Sequence, residues 1–157
     1  DGFILELKKW VEDLAFFYNE IVKDGENPSS VSYRLSKSNK PEVGEMAFIK
    51  LRRGYPKELY NSHWCYILRD TGNSFIVIPS TSVKKDSSHC DERFEMDIEI
   101  DDFINDCVTR LQITQIRCVD YARVSTSGKN HYKVLTNKDD IIKQINKVLF
   151  SDCYVTI

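Results

Sequence analysis

The spacing of apolar residues changes along the chain, and these changes limit the folds that it can adopt. Over the first 21 residues apolar side chains recur every three or four positions, which predicts an amphipathic helix that ends near Gly25. From residue 45 to about residue 119 they alternate with polar residues or form short runs, which predicts strands. The helical period returns over residues 136–150, where Thr136 is the expected N-terminal cap.

Five segments carry the strand pattern, and a turn between two of them predicts how those two pair. Residues 70–73 (Asp-Thr-Gly-Asn) join the second and third segments as an antiparallel hairpin. Short strands followed by a helix indicate a mainly β fold with flanking helices, an α+β class built on a small, strongly bent sheet or barrel. The five segments are 45–51, 64–68, 75–78, 94–100 and 111–119.

The candidate domain boundary lies in the polar, Ser-rich connector between the first helix and the first strand. We expect residues 1–42 to form the N-terminal helix and this connector, and residues 43–157 to form the barrel with its C-terminal helix. An apolar helix face needs a surface that covers it, so the first helix is expected to dock on the core. A helix that binds a partner is the alternative.

Charge and cysteine usage argue against several classes of protein. The chain has 22 Lys and Arg against 24 Asp and Glu, a net charge of −2, which argues against a strongly basic protein that binds long duplex DNA. No apolar run approaches the roughly 20 residues of a membrane span. The five cysteines include no Cys-x-x-Cys pair, so we expect reduced thiols, several of them buried, in a cytoplasmic protein. His89-Cys90 is the one adjacent pair of soft metal ligands, and no second pair at ligand spacing accompanies it. No metal or cofactor is therefore expected.

Hydroxyl groups follow the third predicted strand. Pro79 is expected to end strand pairing, so that residues 80–82 (Ser-Thr-Ser) enter a polar loop. Hydroxyls can bond phosphate oxygens, and Lys84 and Lys85 would add positive potential beside them. The alternative is that the hydroxyls only cap backbone groups.

Basic and aromatic residues alternate in the loop between the first two predicted strands. This pattern is typical of sites for single-stranded nucleic acid, where cations contact phosphates and rings stack on bases. A solvated loop is the alternative. His63 follows at the end of the loop, and imidazole is suited to proton transfer near neutral pH, although an isolated His is more often structural. The loop residues concerned are Arg52, Arg53, Tyr55, Lys57 and Tyr60.

The acidic strand over residues 94–100 offers a competing site. Glu95, Asp97 and Glu99 share one face, and paired carboxylates are the groups that glycosidases use. Alternation with apolar residues is also the pattern of a strand with one solvated face, and we favour that interpretation.

Several segments, in their order along the chain, resemble the PemK/MazF-like toxin family. Members show a Gly at the first strand, a Pro-x-Thr-Ser turn and a Gln-Ile-Arg-x-x-Asp-x-x-Arg stretch. The resemblance covers about two-thirds of the chain. It rests on Val43-Gly-Glu45, on Trp64-Cys-Tyr-Ile-Leu68, on Val77-Ile-Pro-Ser-Thr-Ser82 and on Thr114-Gln-Ile-Arg-Cys-Val-Asp-Tyr-Ala-Arg-Val124.

The resemblance implies an SH3-like barrel, usually dimeric, that cuts single-stranded RNA without a metal and is held in check by an antitoxin. Relatives with RNA antitoxins, the ToxN-like enzymes, share the fold, so the inhibitor implied is a protein or an RNA. The family's Thr-Ser pair corresponds to Thr81 and Ser82. His63 stands where family members commonly have a catalytic Arg, and the N-terminal helix is an addition to the usual short toxin.

Ribonucleases of this kind use the 2′-OH of the RNA as the nucleophile. The expected site therefore has His63 for proton transfer and Thr81 and Ser82 on the phosphate oxygens. The cations would hold the RNA backbone. Two alternatives remain open: a non-catalytic SH3-like binding module, and a gyrase-targeting toxin on a similar barrel. The expected RNA-binding residues are Arg52, Arg53, Lys57, Tyr60, Lys84 and Lys85.

Overall fold

Seven strands between two helices make up the part of the chain that the computed structural model describes, residues 2–21, 35–52, 54–105 and 107–151. Gly25, Arg53, Cys153 and much of the predicted connector lie outside these residues. The first helix, α1, spans Gly2–Phe16 and continues as a π-helical turn over Phe17–Ile21, and the last, α2, spans Lys138–Phe150. The strands are β1 (Glu45–Arg52), β2 (Asn61–Asp70), β3 (Ser74–Ser82), β4 (Glu95–Ile98), β5 (Thr109–Gln112), β6 (Arg117–Asp120) and β7 (His131–Lys133).

All of these strands pair antiparallel in the order β4-β5-β3-β2-β1-β7, with β6 paired to β3. The predicted α+β class is confirmed, and so is the hairpin, which β2 and β3 form. The named strands leave the sheet open and do not close a barrel. Beyond the strand ends, however, the two edges meet: the Asp101 amide donates to the Lys133 carbonyl and the Leu135 amide donates to the Glu99 carbonyl, both at 2.9 Å.

The central strands are buried on both faces. Adjacent residues alternate between two apolar clusters, so that Ala47, Cys65 and Val77 belong to one cluster. Met46, Tyr66 and Ile78 belong to the other. Helix α2 covers the second cluster with Ile141 and Ile145. Burial on both faces explains why these strands read as short apolar runs and not as a simple alternation.

Pro79 does not end strand pairing, contrary to the sequence prediction. It pairs with Cys65 of β2, and β3 continues to Ser82. On its other side β3 pairs with β6 over Ser74–Val77 and with β5 over Ser80–Ser82. Pro79 falls in the gap between these two partners, where a missing N–H interrupts neither register. The hydroxyl residues therefore lie on a strand and not in a loop.

Other predicted boundaries were also wrong. The segment 111–119 is broken by a 3₁₀ turn, Ile113–Gln115, whose Ile113 enters the core. The predicted strand over residues 94–100 is shorter, because β4 covers only Glu95–Ile98. Helix α2 is capped by Asn137, whose Oδ1 accepts the Asp139 amide at 2.8 Å. The Thr136 hydroxyl instead accepts the Glu99 amide at 2.8 Å, so it joins the chain beyond β7 to the chain beyond β4.

Helix α1 meets the sheet near its C-terminal end, where Leu14 and Phe17 face it, so the expected docking of the whole apolar face is confirmed only in part. None of the residues of this described helix is buried, and its larger apolar side chains are mostly exposed. It meets the sheet through an ion pair between Asp13 and Arg52, beside a cavity of about 280 Å³ that Trp10 and Phe17 help to line. No helix within the described residues has the length and apolar character that a membrane crossing requires.

The cysteines are less buried than their apolar neighbours in sequence predict. Of the four that are described, only Cys65 is buried, and burial raises the pKa of its thiol. Cys90 is partly buried, and Cys107 and Cys118 are exposed. Cys118 lies on β6, which contributes only Val119 to the core, so its side chain points away from it.

A polar cluster ties the segment before β1 to the hairpin. The Asp70 carboxylate lies 2.7 Å from Lys40 Nζ, and it accepts the Gly72 amide at 2.8 Å and the Tyr121 hydroxyl. Burial alone would raise the pKa of Asp70, but the bonds from Lys40, Tyr121 and Gly72 together lower it below its ordinary value. A carboxylate with a lowered pKa in the folded state stabilises the fold above its unfolded pKa.

Replacing this carboxylate by its neutral isostere should therefore have a pH-dependent effect. We expect Asp70→Asn to lower the free energy of unfolding at pH 7 by about 1–2 kcal/mol, as for the loss of bonds to a charged group. The difference from the wild type should shrink as the pH falls below about 4, through the lowered pKa of the native state. Urea unfolding across this pH range measures it. An Asp70→Asn cost that stays constant would contradict the assignment.

Candidate active site

The pairing of β2 with β3 brings the three predicted catalytic residues into one cleft. The register pairs Cys65 with Pro79, and continuing it by two residues sets His63 across from Thr81. His63, Thr81 and Ser82 all line a cleft of about 730 Å³, together with Lys84 just beyond β3. The sequence prediction of these four residues as neighbours is consistent with this geometry.

The His63 ring is oriented by the backbone of β3. Its Nδ1 lies 3.0 Å from the carbonyl oxygen of Ser80. A carbonyl oxygen can only accept a hydrogen bond, so Nδ1 carries the proton and donates. In the neutral ring Nε2 is then unprotonated and can accept a proton from a bound group. The ring is half-buried and lies on the Cys65 face of β2, opposite to the side chain of Trp64. Both residues line the cleft, which therefore runs around the end of the strand.

The three hydroxyl residues have different surroundings. Ser80 is 4% exposed, and its hydroxyl donates to the Trp64 carbonyl at 2.8 Å, so it serves the fold as the capping alternative expects. Thr81 is half-buried, and its Oγ1 lies 3.5 Å from Nε2 of Gln112. Ser82 is exposed. Of these three, Thr81 and Ser82 have the hydroxyls that a ligand can reach, and the exposed Ser62 and Ser127 add two more hydroxyls to the lining.

A second lysine lines the cleft, and sequence reasoning missed it. Lys129 follows Gly128 in a loop before β7, far from the hydroxyl residues in sequence. Its Nζ lies 4.2 Å from the centroid of the Tyr132 ring and 3.5 Å from a carboxylate oxygen of Asp102. Lys84 is exposed on the side where β3 ends, whereas Lys85 is exposed outside the lining. Two lysines therefore line the same cleft as the hydroxyls, and one of them, Lys129, is paired with Asp102.

An aromatic wall also lines the cleft and was not predicted. Phe48, Trp64 and Phe103 contribute to it. The Trp64 ring centroid lies 5.1 Å from that of Phe48 and 5.2 Å from that of Phe103. The sequence pattern predicted only that Trp64 belongs to a strand. Its position next to His63 was the one signal in the sequence for a place at the cleft, and that position does not show where the ring lies.

The basic and aromatic loop does not contribute to this cleft. A bulge between Lys50 and Arg52 and a left-handed backbone at Arg52 (φ 69°) turn the chain out of β1, and the Arg52 side chain pairs with Asp13 of α1. Lys57 is exposed, and its carbonyl accepts the Gln115 side-chain amide at 3.0 Å. Tyr60 is also exposed, outside the lining. Arg53 lies outside the described residues.

Two of the three acids on the acidic strand, Glu95 and Asp97, contact a buried arginine and do not form a solvated face, whereas Glu99 is exposed as predicted. The Arg110 guanidinium donates to both carboxylate oxygens of Asp97, at 2.6 and 3.0 Å, and to the Ser88 carbonyl at 2.9 Å. The bond to Asp97 outweighs burial and raises the pKa of Arg110 above its ordinary value. Glu95 lies 3.6 Å from the same guanidinium. Carboxylates held this way are poorly suited to acid–base catalysis of glycoside cleavage.

The same acidic residue supports the hydroxyl strand. Gln112 of β5 donates its side-chain amide to Glu95 at 2.9 Å and lies 3.5 Å from the Thr81 hydroxyl. Glu95 thus orients the Gln112 amide, which makes a long contact with the Thr81 hydroxyl. Among the described residues no group of three or more His, Cys, Asp or Glu side chains is arranged to hold a metal ion.

Comparison with models of known protein families and with curated proteins finds no match for this chain.

The hydrogen bond from His63 to Ser80 has a spectroscopic signature. At a pH where the ring is neutral, we expect the ¹⁵N chemical shifts of His63 to show a protonated Nδ1 and an unprotonated Nε2. The His63→Gln spectrum assigns the signals, because it lacks only this ring and leaves those of His89 and His131. A neutral ring protonated at Nε2 would contradict the orientation described here.

Proposed function

We propose that this chain is a toxin-like endoribonuclease that cleaves single-stranded RNA without a metal ion. The observation that carries the proposal is the shared cleft, in which an oriented imidazole lies beside two accessible hydroxyls and two lysines. Phosphodiester cleavage needs these groups: one that moves a proton, donors for the phosphate oxygens, and cations that hold the strand.

The arrangement supports the following reaction. Nε2 of His63 accepts the proton of the RNA 2′-OH, and the 2′-oxygen attacks the adjacent phosphorus. Thr81 and Ser82 donate to the phosphate oxygens as charge develops on them, and Lys84 and Lys129 neutralise the backbone. The bond from phosphorus to the 5′-oxygen breaks, and the leaving oxygen takes a proton from water. The products carry a 2′,3′-cyclic phosphate and a 5′-hydroxyl.

The finer fold and the partners belong to the same proposal. We assign the sheet to an SH3-like, PemK/MazF-type barrel, supported by the backbone bonds that join its two edges beyond β4 and β7. The exposed apolar side chains of α1 suit a homodimer contact or a cognate protein antitoxin. An RNA antitoxin is the alternative partner, and it would bind through the lysines of the cleft. The protein would act in the cytoplasm, where its substrate and its antitoxin are made.

One observation favours a second candidate, a non-catalytic SH3-like binding module. The Ser80 hydroxyl and the His63 ring both bond to main-chain carbonyls of the neighbouring strand, as structural side chains do. In that case the cleft would bind a partner without cleaving it.

Cleavage of single-stranded RNA in EDTA distinguishes the two. We expect cleavage to persist, with 5′-hydroxyl and cyclic phosphate ends. Folded His63→Ala should lose about 10²–10⁴-fold of the single-turnover rate and Thr81→Val roughly 10²-fold, while RNA affinity changes much less. In the double variant the two increases in activation free energy should not simply add, because both residues act on one transition state.

His89→Ala is the matched control, since it removes an exposed imidazole outside the cleft and should cleave at the wild-type rate. Magnesium-dependent activity, 5′-phosphate ends, or a folded His63→Ala protein with the wild-type rate would refute the proposed reaction. Circular dichroism verifies the folding of each variant.

A further inference from the structure

Two rings of the aromatic wall are held in place by a third ring behind them, because Trp64 and Phe103 both pack on the buried Tyr132, which lies outside the cleft lining. The Trp64, Phe103 and Tyr132 centroids lie 5.1–5.2 Å apart, and each pair of planes meets at 72–90°. Edge-to-face packing of this kind holds rings in fixed orientations. Core aromatics of this protein such as Phe75 are fully buried, whereas Trp64 and Phe103 are half-buried and line the cleft.

The position of Phe103 argues for a binding role over a packing role. Phe103 lies in the loop after β4, where the next side chain, Ile104, is 70% exposed and also lines the cleft. Phe103 is therefore held at the cleft by its ring contacts and not by a strand. A half-covered ring that other rings fix in place is a ready surface for a flat ligand.

The charges around the wall match a nucleotide. Lys129 Nζ lies 4.2 Å from the Tyr132 ring centroid and 3.5 Å from Asp102, so an ammonium group that is paired with a carboxylate lies against the ring cluster at the cleft. Lys84 and the hydroxyls of Thr81 and Ser82 border the same space. A site that combines aromatic faces with cations binds single-stranded nucleic acid, because bases stack on the rings while phosphates contact the cations. The volume of about 730 Å³ lies within the usual range for small-ligand sites.

We propose that Phe103 and Trp64 form a base-binding subsite, which holds one unstacked nucleobase of the RNA beside the phosphate at Thr81 and Ser82. This inference rests on the proposed function and assigns the base contacts to the cleft, where the sequence pattern had assigned them to the loop with Tyr55 and Tyr60. The stacked base fixes the strand so that the adjacent 2′-OH faces His63.

The test uses a short 2′-O-methyl RNA, which binds but cannot be cleaved. The chain contains two tryptophans, Trp10 and Trp64. In a Trp10→Phe protein, Trp64 is therefore the only source of tryptophan fluorescence. We expect the oligonucleotide to quench Trp64 fluorescence. By fluorescence anisotropy with the otherwise wild-type chain, Phe103→Leu should weaken binding about 5- to 150-fold, since stacking contributes about 1–3 kcal/mol per base.

Two variants control this measurement. Phe103→Tyr keeps the ring and should bind within about twofold of the wild type, so it separates loss of the ring from loss of structure. Tyr55→Leu removes a ring that is 80% exposed in the loop between β1 and β2, and it should bind like the wild type. If Phe103→Leu does not fold, quenching of Trp64 decides alone.

The outcomes separate this subsite from the proposed function. Quenching of Trp64 together with weaker binding by Phe103→Leu supports the subsite. If the same protein fails to cleave RNA, only the proposed nuclease activity is refuted. A protein that cleaves RNA but shows no quenching and no effect of Phe103→Leu overturns the subsite alone. A protein that neither binds the oligonucleotide nor cleaves RNA overturns both.

Discussion

The pairing of β2 with β3 is the interaction on which the rest of the structure depends. These strands lie at the centre of the sheet and supply residues to both apolar clusters. A slip of one residue would exchange Cys65 and Ile67 with Tyr66 and Leu68 between the two clusters, so burial on both faces holds the register firmly. The same register sets the His63 ring against the Ser80 carbonyl. The chemistry of the cleft is therefore fixed by the core beneath it.

Much of the fold follows from local sequence pattern. The sequence predictions were wrong where residues distant in sequence determine the local structure. The helices and the hairpin were predicted because apolar spacing and the 70–73 turn are local signals. Pro79 was assigned as a strand end because its missing N–H is costly in a paired strand; where β3 changes partners from β6 to β5, that cost is small. Thr136 was assigned as a cap, but its hydroxyl bonds to Glu99, 37 residues away in sequence. Sequence reasoning about one segment has no access to such partners.

The residues of the candidate site also divide into those that local sequence pattern predicts and those that depend on distant strands. His63, Thr81, Ser82 and Lys84 were predictable because the first three lie on the two strands of one hairpin and Lys84 follows two residues later. The aromatic wall and Lys129 were not, since they come from elements that the sheet topology brings together. Arg52 was assigned to RNA because its charge and neighbours fit, yet Asp13 of α1 binds it. Composition indicates which residue types a site needs, and the pairing of strands determines which of them share it.

The central claim is that RNA occupies the cleft between His63 and the aromatic wall. Backbone chemical-shift mapping of the ¹⁵N-labelled protein with a non-cleavable oligonucleotide tests it most directly. We expect the largest shifts on His63, Thr81, Ser82, Phe103 and Lys129. Shifts confined to α1 and to the loop between β1 and β2, with the cleft unchanged, would contradict it.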